Sequence, residues 1–223
     1  MDPLAEKYYS ISPYVYCAGN PVNLVDLDGR IPRIYIQKKG IPGHAFITTG
    51  EGKNTVVYTY GRYGTLFPGV SGKTAGPLTR NGEGVLMIKR GGSAESFLTE
   101  VKNEGEYSIY ELPNAAEDMI NAHFQILFNN GTSPTNPQKN TYNDPEARVI
   151  DEYDLINNNC VLNTKTAARI AGVSIESDSI TPTGFDRDLS RQSQRDDSIN
   201  VVYNPVQFLD YLLWLIREEK LVK

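Results

Sequence analysis

Cysteine and histidine are scarce in this sequence, and their scarcity excludes several kinds of site. Cys17 and Cys160 can form at most one disulfide, so no disulfide framework holds the fold together. Their spacing does not resemble a zinc site, and the two histidines, His44 and His123, are too few for a multi-histidine metal centre. We therefore expect no metal and no other cofactor.

Basic charge and long apolar runs are also lacking. The 22 Lys and Arg residues are outnumbered by 27 Asp and Glu residues, and the net charge of −5 provides no basic field for nucleic acid. No run approaches the roughly 18 apolar residues of a membrane span. Residues 1–7 lack the apolar core of a signal peptide, so we expect any export to use another route or a longer chain. The sequence gives no indication of oligomeric state.

The most informative stretch is Tyr153-Asp-Leu-Ile-Asn-Asn-Asn-Cys160. A strand-like run over 149–156 ends in three asparagines, and a helical pattern follows over 161–171. Asn157, Asn158 and Asn159 are candidate N-caps, which predicts that the helix begins at the cysteine. The N–H groups and dipole of a helix N-terminus favour a thiolate there. The alternative is that Cys160 is a small buried hydrophobic residue.

The remaining pattern predicts a mixture of strands and helices. Alternating apolar residues predict strands at 33–38, 44–49, 55–60, 84–89 and 107–112. Apolar stripes and capping residues predict helices at 93–102, 114–129 and 204–217, the second of them capped by Asn114. The polar stretches 61–84, 132–145 and 174–200 are predicted to be loops.

The first 30 residues differ from the rest and resemble a known family. They contain Asp2-Pro-Leu-Ala-Glu-Lys-Tyr8, then Ser12-Pro-Tyr-Val-Tyr-Cys-Ala-Gly-Asn-Pro21, then Asp26-Leu-Asp-Gly29. This series is similar to the C-terminal end of the core domain of RHS/YD-repeat proteins, with Leu27 where that family usually has proline. The self-cleavage motif of some members is not intact here, so cleavage is not assumed.

The RHS resemblance implies a domain division and a biological setting. Residues 1–30 would be the tail of an RHS core, and residues 31–223 would be the variable C-terminal domain, which in that family is often a toxin against neighbouring bacteria. It implies delivery by a specialised secretion system as part of a larger RHS protein. A toxin in its own producer implies an immunity protein as a partner.

A second resemblance concerns the candidate chemistry. Gly43-His-Ala-Phe-Ile47 is similar to the histidine strand, and Tyr153 to Thr164 to the cysteine segment, of circularly permuted papain-like (NlpC-like) cysteine hydrolases. The resemblance implies an α+β permuted papain-like fold, with an antiparallel sheet packed against the cysteine helix. It implies Cys160 as nucleophile, His44 as general base and the backbone N–H of Cys160 as an oxyanion donor. We interpret His123, on an apolar helix stripe, as a partly buried histidine.

The third member of such a site is left open by the sequence. An unbulged hairpin with a loop at residues 50–54 places position 44 near position 60, with 58 and 60 on its face. That geometry nominates Tyr60 and then Tyr58, although Tyr60 is equally consistent with a packing role. Asn159 could orient the thiol or cap the helix, and we favour the cap.

These expectations lead to three hypotheses. The first is a cysteine amidase or peptidase that acts through an acyl-thioester as the effector domain of an RHS protein, with peptidoglycan stem peptides as the most natural substrate and a protein target next. The second is an acyltransferase, or a thioester- or lipid-directed enzyme, with the same Cys–His pair. The third is a non-catalytic interaction domain.

Overall fold

A computed structural model of the protein describes residues 31–38, 43–62, 81–134 and 145–205. The strands in these residues are β1 Arg33–Gln37, β2 His44–Thr49, β3 Val56–Gly61, β4 Asn81–Arg90, β5 Tyr107–Glu111, β6 Ala147–Asp154 and β7 Asn200–Tyr203. The helices are α1 Gly91–Glu104, α2 Glu117–Asn130, α3 Cys160–Ile170 and α4 Pro182–Gln192, with a 3₁₀ turn at Gly52–Asn54. The segment 1–30, on which the RHS resemblance rests, lies outside the described residues, as does nearly all of the helix predicted at 204–217.

The described strands form one antiparallel sheet in the order β6-β4-β3-β2-β1-β5-β7. The first two strands pair from Arg33↔Thr48 to Gln37↔His44, so the histidine lies at the start of β2 and at the end of that ladder. Between β2 and β3 the ladder is shorter and runs from Ile47↔Tyr58 to Thr49↔Val56. The two strands that carry the candidate residues are therefore paired only near their hairpin.

Both faces of the sheet are covered by helices. Alternate side chains on each strand point to opposite faces, so each strand contributes to two clusters. On one face, Phe46 of β2 and Val57 of β3 pack with Ala94 and Val101 of α1. On the other face lies the larger cluster, in which residues of β2 and β3 pack with α2, α3 and α4, including Phe124, Cys160 and Phe185. Helix α3 packs mainly on β2, which sets the candidate nucleophile against the histidine strand.

The predicted fold class, an α+β permuted papain-like domain, is wrong. The described chain is rich in sheet, with seven strands in one antiparallel sheet and four helices, and it is only loosely α+β. The prediction was drawn from a histidine strand and a cysteine helix, and both of these local elements are present. Two local segments determine neither the number nor the order of strands, so they do not define a fold.

Two element predictions are also wrong. The stretch 174–200 is not a loop, because it contains α4 and leads into β7, which pairs with β5 at the edge of the sheet. The second predicted helix is not capped by Asn114, because α2 begins three residues later and its N-cap residue, Ala116, has no side chain that could accept a hydrogen bond. Among the described residues, no helix has the length and apolar character needed to cross a membrane.

Candidate functional site

Cys160 is the first residue of α3, as the sequence predicts, and it is 4% exposed. The side chain of Asn159 accepts a hydrogen bond from the backbone N–H of Leu162 at 3.0 Å, which confirms Asn159 as the N-cap. The helix therefore begins with its unpaired N–H groups beside the thiol, where they favour a negative charge.

Burial raises the pKa of the Cys160 thiol above its usual value. Hydrogen bonds from the backbone N–H groups of Ala45, Val161 and Cys160, and from the hydroxyl of Tyr153, act in the opposite direction. In the resting site the sulfur is therefore a neutral thiol surrounded by donors that would stabilise the anion once it forms.

His44 takes part in a different set of contacts. Its Nε2 lies 2.6 Å from Oγ1 of Thr59, on the neighbouring strand β3. Its ring stacks at 6.0 Å from the ring of Phe46, on the face of the sheet that α1 covers. Burial lowers the pKa of His44 to about 4, so the imidazole is neutral at physiological pH and can accept a proton.

The structure brings the thiol to the backbone of the histidine strand but not to the imidazole. Cys160 receives the N–H of Ala45, the residue directly after His44, so the sulfur lies beside the peptide that joins these two residues. The side chains of His44 and Ala45 leave opposite faces of β2, and within the described residues no hydrogen bond joins the thiol to the ring. Contact between sulfur and imidazole therefore requires a movement of the His44 side chain.

The predicted hairpin register is wrong by one residue. The pairing Thr49↔Val56 puts six residues in the loop rather than five, and extending this register places position 45, not 44, opposite 60. A shift of one residue moves every side chain to the other face of the strand. Tyr58 and Tyr60 consequently lie in the large cluster with Ala45 and Cys160, while Thr59 is the β3 residue that meets His44.

Tyr58 has contacts that indicate a structural role. Its hydroxyl donates to Oδ1 of Asn121 on α2 at 2.7 Å, and the Thr49 hydroxyl donates to the same oxygen at 2.7 Å. Its ring stacks on Phe124 at 4.6 Å. These contacts attach α2 to the hairpin.

Tyr60 lies closer to the thiol, but its hydroxyl is directed to a carboxylate. It donates to Oδ1 of Asp151 at 2.5 Å, and its ring lies 5.7 Å from that of Tyr153, whose own hydroxyl reaches the sulfur. Burial, followed by the neighbouring Asp151 carboxylate, raises the pKa of Tyr60 well above its usual value. Tyr60 is thus a neutral hydrogen-bond donor in the wall beside Cys160, and it has no contact with the His44 ring among the described residues.

Three residues near the site were not identified from the sequence as functional candidates: Thr59, Tyr153 and Asp151. Tyr153 is the first residue of the stretch 153–160, seven positions before Cys160, so its place in the cysteine motif is an available signal. Thr59 gave no such signal, because its assignment depends on the hairpin register. Asp151 lies on β6 and reaches Tyr60 across β4, a contact that only the strand order reveals.

His123 and a surface depression beside α4 lie away from Cys160. His123 is a partly buried residue of α2 that packs beside Phe124, and burial lowers its pKa. A depression of about 710 Å³ is lined by residues of α4 and of the chain before it, including Arg187 and Asp188, and it does not include Cys160. Within the described part of the chain, no group of three or more His, Cys, Asp or Glu side chains could hold a metal ion.

Comparisons with known proteins add no assignment: no family model, no curated protein and no solved structure matches the chain.

Proposed function

We propose that the protein is a cysteine-dependent acyl-transfer enzyme that hydrolyses an amide through an acyl-thioester on Cys160. The observation that supports this most directly is the environment of the thiol at the start of α3. Three backbone N–H groups and the Tyr153 hydroxyl are directed at one sulfur, next to the strand that begins with His44. The N–H groups of Cys160 and Val161 belong to the first turn of α3, whereas the N–H of Ala45 and the Tyr153 hydroxyl come from β2 and β6, so two strands add donors to those of the helix terminus.

The proposed reaction begins with two neutral partners. Once its side chain has moved to the sulfur, the neutral His44 ring accepts the thiol proton through its unprotonated nitrogen. As the proton leaves, sulfur bonds to the substrate carbonyl carbon. The His44 imidazolium then protonates the departing amine as the carbon–nitrogen bond breaks, and water cleaves the thioester with His44 again as base.

The movement that this reaction needs would take place at the first residue of β2. His44 is the first residue of β2 and follows Gly43, whose φ is 89°. The β2–β3 ladder has already ended at Ile47, so no backbone pairing with β3 restrains His44. Catalytic hydrogen bonds are often long or poorly aligned before substrate binds, and they tighten in the complex.

The test uses a p-nitrophenyl ester and detection of the acyl-enzyme by mass, with peptide mapping to locate the acyl group. We expect the acyl group on Cys160 and no turnover in Cys160→Ala. Replacing His44 with Ala should lower kcat by about 10²- to 10⁴-fold, since general-base catalysis contributes on that order. Thr59→Val should change kcat less than His44→Ala, because it removes a contact of the ring in the resting site and leaves the base in place.

His123→Ala is the matched control, because it removes the other histidine of the chain and should leave kcat within a few-fold of wild type. Acylation that survives in Cys160→Ala would exclude Cys160 as nucleophile. Equal kcat values for the His44 and His123 variants would exclude His44 as base.

The resemblance of residues 1–30 to an RHS core supports a biological setting for this activity. We propose that the domain is an interbacterial effector, delivered within a larger RHS protein and held inactive in its producer by an immunity protein. Peptidoglycan stem peptides are the first substrate to test and a protein target is the second. Expression of the wild-type domain in a bacterium without the immunity partner should arrest growth, and Cys160→Ala should not. Equal growth with both forms would contradict the effector role.

The same thiol would also serve an acyltransferase, in which an amine or alcohol replaces water. Added nucleophiles distinguish the two outcomes, since a transferase forms the corresponding amide or ester faster than the free acid.

A further inference from the structure

Two exposed isoleucine side chains belong to segments that meet at the residue before the candidate nucleophile. Ile156, in the turn before α3, is 45% exposed, and Ile180, in the segment before α4, is 36% exposed. The two are 24 positions apart in the sequence, but the side chain of Asn159 joins their segments. Its Nδ2 donates to the carbonyl oxygens of Leu155 at 2.7 Å and of Ile180 at 3.0 Å.

The turn that carries Ile156 is held by local hydrogen bonds. Oδ1 of Asp154 accepts the backbone N–H groups of Ile156 and Asn157 at 2.7 and 2.9 Å. The backbones of Asp154 and Asn158 exchange two hydrogen bonds of 2.9 Å each. The exposed side chain of Ile156 thus stands on a fixed backbone rather than on a free loop.

The segment that carries Ile180 is also held by hydrogen bonds. Lys165 of α3 is buried, and its Nζ donates to the carbonyl oxygens of Ser177 and Ser179 at 2.9 Å each. Directly after Ile180, the side chain of Thr181 caps α4 by accepting the N–H of Gly184. Ile180 therefore stands between two anchored points of the chain.

We propose that Ile156 and Ile180 form the binding surface for an aliphatic acyl group, the one whose carbonyl carbon Cys160 attacks. This inference rests on the proposed acyl-transfer function and adds the class of substrate. The part of a substrate that stays closest to an acylated sulfur is the acyl group, so a surface anchored through Asn159 is placed to meet it. Rigid apolar side chains bind such a group with little loss of conformational entropy.

The experiment measures kcat/KM for p-nitrophenyl esters that share one leaving group and differ in acyl length, from acetate through butyrate and hexanoate to octanoate. Turnover by Cys160→Ala is subtracted at each length. We expect kcat/KM of the wild type to rise about two- to fourfold for each methylene that reaches the surface, as apolar transfer predicts. In Ile180→Ser and Ile156→Ser this rise should flatten, while the rate with acetate stays near that of wild type.

Ile170→Ser is the matched control, because Ile170 is 37% exposed and ends the same helix that Cys160 begins. Ten residues of helix place it about 15 Å along the axis from the cysteine, so the chain-length dependence should not change. Flat kcat/KM across the series in the wild type, or equal flattening in all three serine variants, would overturn the aliphatic site. Failure of every ester to acylate Cys160 would instead refute the proposed function itself.

Discussion

Gly84 is the residue whose replacement should disturb the wall of the candidate site most directly. It lies on β4 between Tyr60 and Asp151, where the register of β4 against β6 shifts. A Cβ atom added at Gly84 would meet the Tyr60 hydroxyl and Oδ1 of Asp151 at distances far inside van der Waals contact. Those two atoms are the partners of the 2.5 Å hydrogen bond beside the thiol. Gly84→Ala must therefore separate them.

The cost follows from what the separated groups lose. The side chain of Tyr60 is 2% exposed and its ring packs near Tyr153, so its hydroxyl cannot swing into water without moving the ring. A buried hydroxyl that loses a charged acceptor costs about 1–3 kcal/mol, and forcing a methyl group into packed space costs a further 1–3 kcal/mol or so. We expect Gly84→Ala to lower the free energy of unfolding by about 2–6 kcal/mol in urea denaturation.

A double-mutant cycle separates this cause from a general effect of alanine in a strand. Tyr60→Phe removes the hydroxyl that collides, so Gly84→Ala should cost at least about 1 kcal/mol less in that background. Gly92→Ala in α1 is the control glycine, since an added Cβ there meets nothing within 4 Å and alanine favours a helix. A Gly84→Ala protein as stable as wild type, or an equal cost in both backgrounds, would refute the reasoning.

Three further changes test the burial of polar groups. Burial holds the pKa of His44 near 4 against 6.5 for a free histidine, so the unfolded chain takes up the proton first as pH falls. Stability should then decrease by up to ~3 kcal/mol between pH 6.5 and 4 in urea titrations, an upper limit because the ring is partly exposed. His44→Gln should reduce this slope without abolishing it, because burial also lowers the pKa of His123. Lys165→Met should lower the free energy of unfolding by about 1–3 kcal/mol, because two carbonyl oxygens lose their donor. Thermal denaturation measures this, and an unchanged melting temperature would contradict it. Asn121→Ala should cost a similar ~1–3 kcal/mol, because the buried hydroxyls of Tyr58 and Thr49 lose a shared acceptor, whereas Asn103→Ala on the exposed face of α1 should be neutral.

Most strands of the sheet could be predicted from the sequence, because alternation of apolar residues is a local property. Local signals also predict that α3 begins at the cysteine and is capped by Asn159, and both predictions are confirmed. Helix α4 was missed although its signals are present: Thr181 caps it, Pro182 occupies its first turn, and Phe185 and Leu189 share one face. Because the helix is otherwise strongly polar, its apolar stripe consists of only these two residues and does not give a clear helical pattern.

The candidate site contains one feature that neighbouring residues determine and one that depends on the pairing of two strands. The cysteine and its cap belong to one helix terminus, so their relation is fixed by adjacent residues and can be derived from sequence. The partner of His44 belongs to another strand, and its identity depends on whether the hairpin loop holds five residues or six. One residue in that loop decides whether Tyr60 or Thr59 faces the histidine, because side chains alternate along a strand.

Loop length is the least certain feature of a sequence-based assignment, since element boundaries are uncertain by a residue or two. A residue selected by spacing across a turn can therefore be chemically reasonable and still lie on the wrong face, as Tyr60 does with respect to His44. The observed register places Tyr60 on the face of Cys160. Tyr60 is therefore not a partner of the proposed base, His44, but part of the wall around the proposed nucleophile.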